Sequence, residues 1–312
     1  AAGPSVGAAK EIAQATTSPH PYAQVQAITA LGEEGGEQAS AFLIGLAEDL
    51  AAPWAFRELA LRSLKTSPWE EVHSSAARLL EDPDARIRQK AAEVLGSAPG
   101  DHSAALEKAW RRERVPDVRA TLLTQWARQD RRGALDAAER WLVSRRPGLV
   151  PNPVAVAALN LLGDHGDPDS LDTVLRYLRV DSPQDLAHAA AWAAPSMVGR
   201  MDPGTARVRA QERSARALEP LLESPFQRTR ATAIGALGRV GDEHSVLLLQ
   251  AYAKKETVQS LEKRADDAIK AIRERDDSLV APEDGGLEAR LLAIEGEQDA
   301  LRDRLEKLEE RR

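Results

Sequence analysis

Gln227 to Gln250 reads QRTRATAIGALGRVGDEHSVLLLQ, and this stretch decides the fold. Ser224-Pro225-Phe226-Gln227 ahead of it carries helix-start signals: a capping Ser, a Pro for the first helical position and a Gln three residues on. Ala231, Ile234, Ala236 and Leu237 then fall on or near one helical face. Gly238 and Gly241 are expected to take the positive-φ conformations that end a helix and turn the chain. From Asp242 a second helix follows, with Val246, Leu247, Leu249 and Ala253 as its apolar contacts. One such αα-hairpin cannot bury both of its apolar faces, so it must stack on neighbours.

Imperfect copies fill the chain. The pair that ends each first helix recurs as Leu31-Gly32, Leu64, Leu95-Gly96, Trp126, Leu162-Gly163 and Leu237-Gly238, in steps of 33, 31, 31, 36 and 75 residues. The long last step holds a degenerate unit around Ala194 and an insertion, with Ala194-Pro195 to Pro203-Gly204 as an irregular excursion. Start signals recur at Ser67-Pro68-Trp69-Glu70, Asp82-Pro83 and Ser182-Pro183-Gln184-Asp185. A period in the thirties with this punctuation predicts an all-α, α-solenoid fold of about seven hairpins.

Two stretches, Asp84 to Gly96 (DARIRQKAAEVLG) and Thr229 to Gly238 (TRATAIGALG), resemble HEAT repeats. The resemblance rests on an Arg in the first helix, small residues at the helix crossing and a Leu-Gly pair, and it extends over about Tyr22 to Arg275. It implies a right-handed solenoid that presents its second helices as a concave binding surface. The Trp…Leu-Gly…Tyr pattern of tetratricopeptide repeats is absent.

Composition narrows the function. Hydrophobic residues make up 43% of the chain but aromatics only 4%, and much of the apolar content is Ala, which suits close helix packing. There is no Cys, which excludes disulfides, thiolate metal sites and thiol nucleophiles. No run approaches ~18 apolar residues, so neither a membrane span nor a membrane partner is expected. HExxH, GxSxG and phosphate-binding Gly-rich patterns are missing. The Gly163-Asp164-His165-Gly166-Asp167 turn reads as helix capping, like Gly241-Asp242, rather than as a cation site. The chain is therefore expected not to be an enzyme and to need no cofactor or metal.

The ends read differently from the middle. Val6 to Thr16 looks like the second helix of a unit whose first helix is missing, as in a piece of a longer protein. Residues 1–275 are assigned to the solenoid, 276–286 (DDSLVAPEDGG) to a flexible acidic linker and 287–312 to a coiled-coil helix. In that helix Leu291, Gln298 and Leu305 take heptad position a, with Leu287, Ile294, Leu301 and Leu308 at d. The flanking pairs Arg290/Glu295, Glu297/Arg302 and Arg304/Glu309 are opposite in charge across a parallel homodimer, so self-association is expected. An array, an acidic linker and a terminal LEARL…LRDRLEKLEER helix together resemble the C-terminal region of some bacterial zinc aminopeptidase-like proteins. That resemblance implies an accessory region beside a catalytic domain, whose metal-binding residues this chain does not contain.

Lys108 to Arg146 is the one strongly basic segment, with 11 bases against 5 acids. Arg111, Arg112, Arg114, Arg119, Arg128, Arg131 and Arg132 are its candidate surface for an anionic partner, with Trp110, Trp126 and Trp141 interleaved. HEAT-like DNA glycosylases use a comparable mixture of Trp, Arg and a carboxylate. Trp126 at a core position and Trp141 at helical spacing from Leu135 and Ala138 favour buried indoles instead, so nucleic acid is the lesser expectation. A protein or peptide partner is the main one.

Overall fold

The computed structural model describes residues 20–145 and 152–280, which form fifteen α-helices and, among the described residues, no strand. In chain order these are α1 (Pro21–Glu34), α2 (Gly36–Glu48), α3 (Trp54–Leu64), α4 (Glu70–Leu79), α5 (Ala85–Ser97), α6 (Ser103–Arg112), α7 (Pro116–Gln129) and α8 (Arg131–Val143). There follow α9 (Asn152–His165), α10 (Leu171–Leu175), α11 (Gln184–Arg200), α12 (Thr205–Leu218), α13 (Gln227–Val240), α14 (Glu243–Lys255) and α15 (Gln259–Val280). Consecutive pairs make hairpins, and α15 closes the described part of the array. The chain is an all-α helical-repeat solenoid.

The repeat positions share one environment. Leu31, Leu64, Leu95, Trp126, Leu162, Ala194, Leu237 and Ile269 are all buried, one in each first helix and one in α15. Every first helix packs against the first helix of the next unit, whereas the second helices meet one another sparsely. The first helices therefore form the continuously packed layer of the array.

Small residues make that close spacing possible. Ala60, Ala91, Ala92, Ala158, Ala190 and Ala233 are fully buried in the first-helix layer. The Gly of each Leu-Gly pair faces the next unit. A Cβ on Gly32 would lie 2.6 Å from Ser63 Cβ, one on Gly163 2.8 Å from Ala193 Cα, and one on Gly238 3.2 Å from Ala268 Cα; Gly96 faces the Gln125 side chain in the same way. These glycines allow backbones to approach and do not turn the chain. Gly238 is inside α13 and Gly241 has φ −64°, so neither takes the expected positive φ. Positive φ occurs instead at Gly35, Gly36, Gly100 and Gly204.

Other expectations need correction. The Ser-Pro signals lie upstream of the helices, because Pro183 takes an extended ψ of 138° and the first helical residue is Gln184. Likewise α13 begins at Gln227 with Phe226 as its cap residue, while Ser224 Oγ accepts the Phe226 N–H at 3.3 Å. Asp242 does cap α14, accepting from Ser245 N at 2.9 Å. In that helix Leu247 is exposed, and Val246 and Leu249 are the buried residues. Ala194 to Gly204 is no irregular excursion: α11 runs through Pro195 to Arg200. The extension brings the Arg200 guanidinium to the carbonyls of Gly163 and Gly166, orphan acceptors at the end of α9. Arg275 does the same for Gly238 and Arg239 at the end of α13.

The second helix of the Leu162 unit is short, with a 3-10 turn at Pro168–Ser170 leading into the single turn of α10. Helix α15 continues to Val280, past the Asp276 expected to open the linker. The Val6–Thr16 segment, residues 146–151, the rest of the linker and the heptad residues Leu287 to Leu308 lie outside the described residues.

Candidate binding groove

The first helices bury one stripe and turn another to solvent. In α9, Val154, Ala155, Ala158, Leu159 and Leu162 are buried, while Asn160 and Asp164 face solvent one turn apart. In α11 six of the ten buried residues are Ala, and Asp185, His188 and Trp192 form the exposed row. Trp192 is 38% exposed, unlike the indoles of Trp110, Trp126 and Trp141.

These rows enclose a groove of about 610 Å³ lined by Pro153, Val156, Asn160, Asp164, Asp185, His188, Trp192 and Arg228. An adjoining cleft of about 420 Å³ shares Val156, Asn160 and Asp164 and runs on to Thr124, Arg128 and Arg131. The groove thus crosses α7, α9, α11 and α13.

His188 Nδ1 is 2.8 Å from Thr232 Oγ1, which itself donates to the Arg228 carbonyl at 2.9 Å. A hydroxyl has one proton, so Thr232 accepts from His188 Nδ1–H and leaves Nε2 as an acceptor. Burial, and then the Arg228 charge, push the His188 pKa down, which keeps the ring neutral at neutral pH. Arg228 and Asp185 are 3.9 Å apart and both exposed, so their attraction is weak. The groove therefore offers an indole platform, an amide able to donate and accept, a neutral imidazole acceptor and charges at its rim. Sequence reasoning passed over Trp192, Asn160 and His188. The available signal was a Trp one turn after a His in an otherwise Ala-rich helix.

The seven candidate arginines do not share one face. Arg111, Arg112 and Arg114 are at the end of α6, and Arg128, Arg131 and Arg132 are at the turn between α7 and α8. The length of α7, roughly 20 Å, separates the two groups. Arg111 pairs with Glu107, and Arg112 is 3.6 Å from Glu81, which offsets part of the local charge. Trp110, Trp126 and Trp141 are buried, as the core reading expects, and offer no stacking surface.

Arg119 belongs to a different arrangement. It stands seven residues before Trp126, as Arg57, Arg88 and Arg230 stand before Leu64, Leu95 and Leu237. Those three each hold an acid that follows the second helix of their own unit. Arg57 grips buried Asp82 and donates to the Ala47 carbonyl at 2.9 Å. Arg88 holds Glu113 through Nε at 2.7 Å and Nη2 at 3.0 Å, and donates to the Asp82 carbonyl at 2.9 Å. Arg230 Nε is 3.5 Å from Glu256, with Tyr252 Oη between their charges. Burial, and then Glu256, push the Tyr252 pKa up to about 12.

In the Arg119 unit the acid is missing, and Ser144-Arg145 occupies its place. The Arg119 guanidinium lies 4.7 Å from the Trp110 ring and 6.0 Å from that of Trp141. The Arg145 guanidinium lies 4.3 Å from the same Trp141 ring. Arg119 Nε is buried without a hydrogen-bond partner.

Among the described residues no group of three or more His, Asp or Glu is placed to hold a metal, and no helix is long and apolar enough to cross a membrane. No protein-family model matches the chain, and no curated protein matches it. It is similar to solved helical-repeat structures. Human deoxyhypusine hydroxylase is 16% identical over 86% of this chain and 96% of its own, with a TM-score of 0.37. A designed armadillo repeat protein is 16% identical over 74% of this chain and 99% of its own, with a TM-score of 0.31. Kap95p, in a structure with RanGDP, is 13% identical over 94% of this chain and 37% of its own, with a TM-score of 0.43. At these identities the likeness speaks to the fold alone. The expectation that the chain is not an enzyme does not stand, because one of the chains it is similar to, deoxyhypusine hydroxylase, is itself an enzyme.

Proposed function

We propose that the chain is a scaffold that holds an extended segment of a partner protein across its first-helix face, with Trp192 as the anchor. The carrying observation is the exposed indole of Trp192 in a groove lined by Asn160 and His188. Large aromatic side chains dominate binding energy where a partner desolvates them. Asn160 has both a donor and an acceptor to offer a peptide group, and His188 Nε2 adds an acceptor.

The test is selection of displayed random peptides on the full chain, followed by affinity measurement on Trp192→Ala and Asn160→Ala. Trp192→Ala is expected to cost about 2 kcal/mol or more of binding with the melting temperature unchanged. Selected peptides that bind Trp192→Ala as well as the parent chain would remove the groove from the proposal.

Two copies joined through Leu287 to Leu308 would present two grooves and gain avidity. Light scattering with and without residues 286–312 tests this; a monomer in both forms well above micromolar concentration sinks it. The aminopeptidase-like resemblance suggests that the scaffold serves a metalloprotease domain. A gene whose reading frame places HExxH upstream of Ala1 supports that setting, and a frame without it removes it.

A further inference from the structure

Of the four units with an arginine at this position, three close the joint with a carboxylate and one does not. In the closed joints the acid enters where the second helix ends, as Asp82, Glu113 and Glu256 do. At the corresponding place beside Arg119 the chain carries Ser144 and a second cation, Arg145. Burial, and then Arg145, push the Arg119 pKa down, the opposite of what Arg88 experiences beside Glu113. Arg145 Nη1 is spent on the Trp141 carbonyl at 3.2 Å and on Ser144 Oγ at 2.8 Å. Neither arginine has a carboxylate within salt-bridge distance among the described residues; Glu113, which attracts Arg119 from farther off, is held by Arg88. Two flat guanidinium groups thus lie near the Trp141 ring, Arg119 desolvated in part, and neither is in a salt bridge with any described residue. The Trp110 and Trp141 rings also fix the Arg119 side chain, so little rotamer entropy remains to be lost when an acceptor arrives.

We propose that Arg119 and Arg145 form a receptor for an acidic side chain of a partner protein. A docked Asp or Glu completes from outside the ion pair that neighbouring units complete from within. A carboxylate is the ligand class because side-chain carboxylates fill the sister positions, and guanidinium forks match their geometry. The source of the carboxylate rests on the protein-binding reading above. The site itself lies at the edge where α6 and α8 end, away from Trp192, so the two can fail separately.

The experiment titrates the full chain with a blocked hexaglutamate peptide at low ionic strength, where such a pair is least screened. The readout is the six tryptophan indole N–H signals in a nitrogen-15 spectrum. The signals of Trp110 and Trp141, assigned by single Phe substitutions, are expected to move and saturate. Affinity should fall by about tenfold or more in Arg119→Leu and in Arg145→Gln. Ser144→Glu plants an acid where Glu113 stands in the preceding unit; it should abolish binding while the fold is kept. Trp192→Ala should leave the affinity unchanged. The proposal is overturned if Ser144→Glu binds hexaglutamate within twofold of the parent chain, or if the two indole signals stay still through millimolar peptide. Tighter binding of a phosphoserine hexapeptide than of hexaglutamate would overturn the carboxylate assignment in favour of phosphate. A large gain of affinity on deleting 287–312 would assign the site to the chain's own acidic tail and overturn the partner.

Discussion

Arg57 and Arg119 occupy the same helical position two units apart, and their surroundings differ in sign. Arg57 is enclosed with Asp82 and a helix-end carbonyl, so each buried charge has its counterpart. Arg119 is packed by two indoles and faced by another arginine. The backbone scaffold around them is the same. What separates a structural joint from a candidate site is therefore one side chain at the end of a second helix. A repeat protein can open a binding position by omitting an internal partner, without altering the helices that frame it.

The largest effect is expected where the joint is closed. Asp82→Ala leaves Arg57 buried without its counter-ion, and such a break costs about 3–5 kcal/mol. Arg119→Leu should change stability by less than about 1 kcal/mol, because it removes a guanidinium that has no partner to lose. Urea unfolding of both variants beside the parent chain measures the contrast. Equal losses would mean that Arg119 is held by an interaction of the same weight as the Asp82 pair, and the comparison would collapse.

This contrast also marks what a sequence could disclose. The fold was legible because its cause is periodic: Leu31, Leu95, Leu162 and Leu237 are buried one per unit, and that spacing survives divergence. Arg57, Arg88, Arg119 and Arg230 were equally periodic in the sequence, seven residues before Leu64, Leu95, Trp126 and Leu237. Their partners were harder to see, since Asp82, Glu113 and Glu256 come from the far end of the next helix. The role of Gly238 was misread for a related reason. A glycine near a helix end suggests a turn, whereas its neighbour Ala268 lies thirty residues on in the sequence and touches it only in the folded array. The groove was the least legible part, because the exposed stripe of α11 has no repeat signature and differs from unit to unit. Judging the basic segment by net charge also merged the two ends of α7, which the helix holds apart.

A smaller effect, with a pH signature, is expected at Arg88–Glu113. Burial alone pushes the Glu113 carboxyl up. The Arg88 fork and the N–H groups of Val115 and Arg114 outweigh it and hold the pKa below the ordinary value of 4.5. A carboxyl with a lowered folded-state pKa contributes stability above its unfolded value, and that contribution disappears as pH falls through the folded value. Glu113→Gln should therefore cost about 1.5–3 kcal/mol at neutral pH. The gap between variant and parent should narrow below pH 4.5. A gap that stays constant from neutral to acid would show that the Glu113 charge is not what holds this joint.

The smallest effects come from one substitution made at two glycines, and they should have opposite signs. Gly163 packs under the next unit, where an added Cβ would lie 2.8 Å from Ala193 Cα and from the Trp192 ring. Gly163→Ala must push these helices apart and should cost on the order of 1 kcal/mol. Gly235 is exposed within α13, and an added Cβ there meets nothing within 4 Å. Gly235→Ala should stabilise by about 0.5–1 kcal/mol, through the backbone freedom it removes from the unfolded chain. Thermal melts of the two variants test whether a glycine serves inter-unit contact or is merely tolerated. Because Gly163 lies beneath Trp192, its substitution should also shift the Trp192 indole signal, while Gly235→Ala leaves that signal in place. Stabilisation by both alanines would mean that the first helices are not in the close contact that Gly163 is placed to allow.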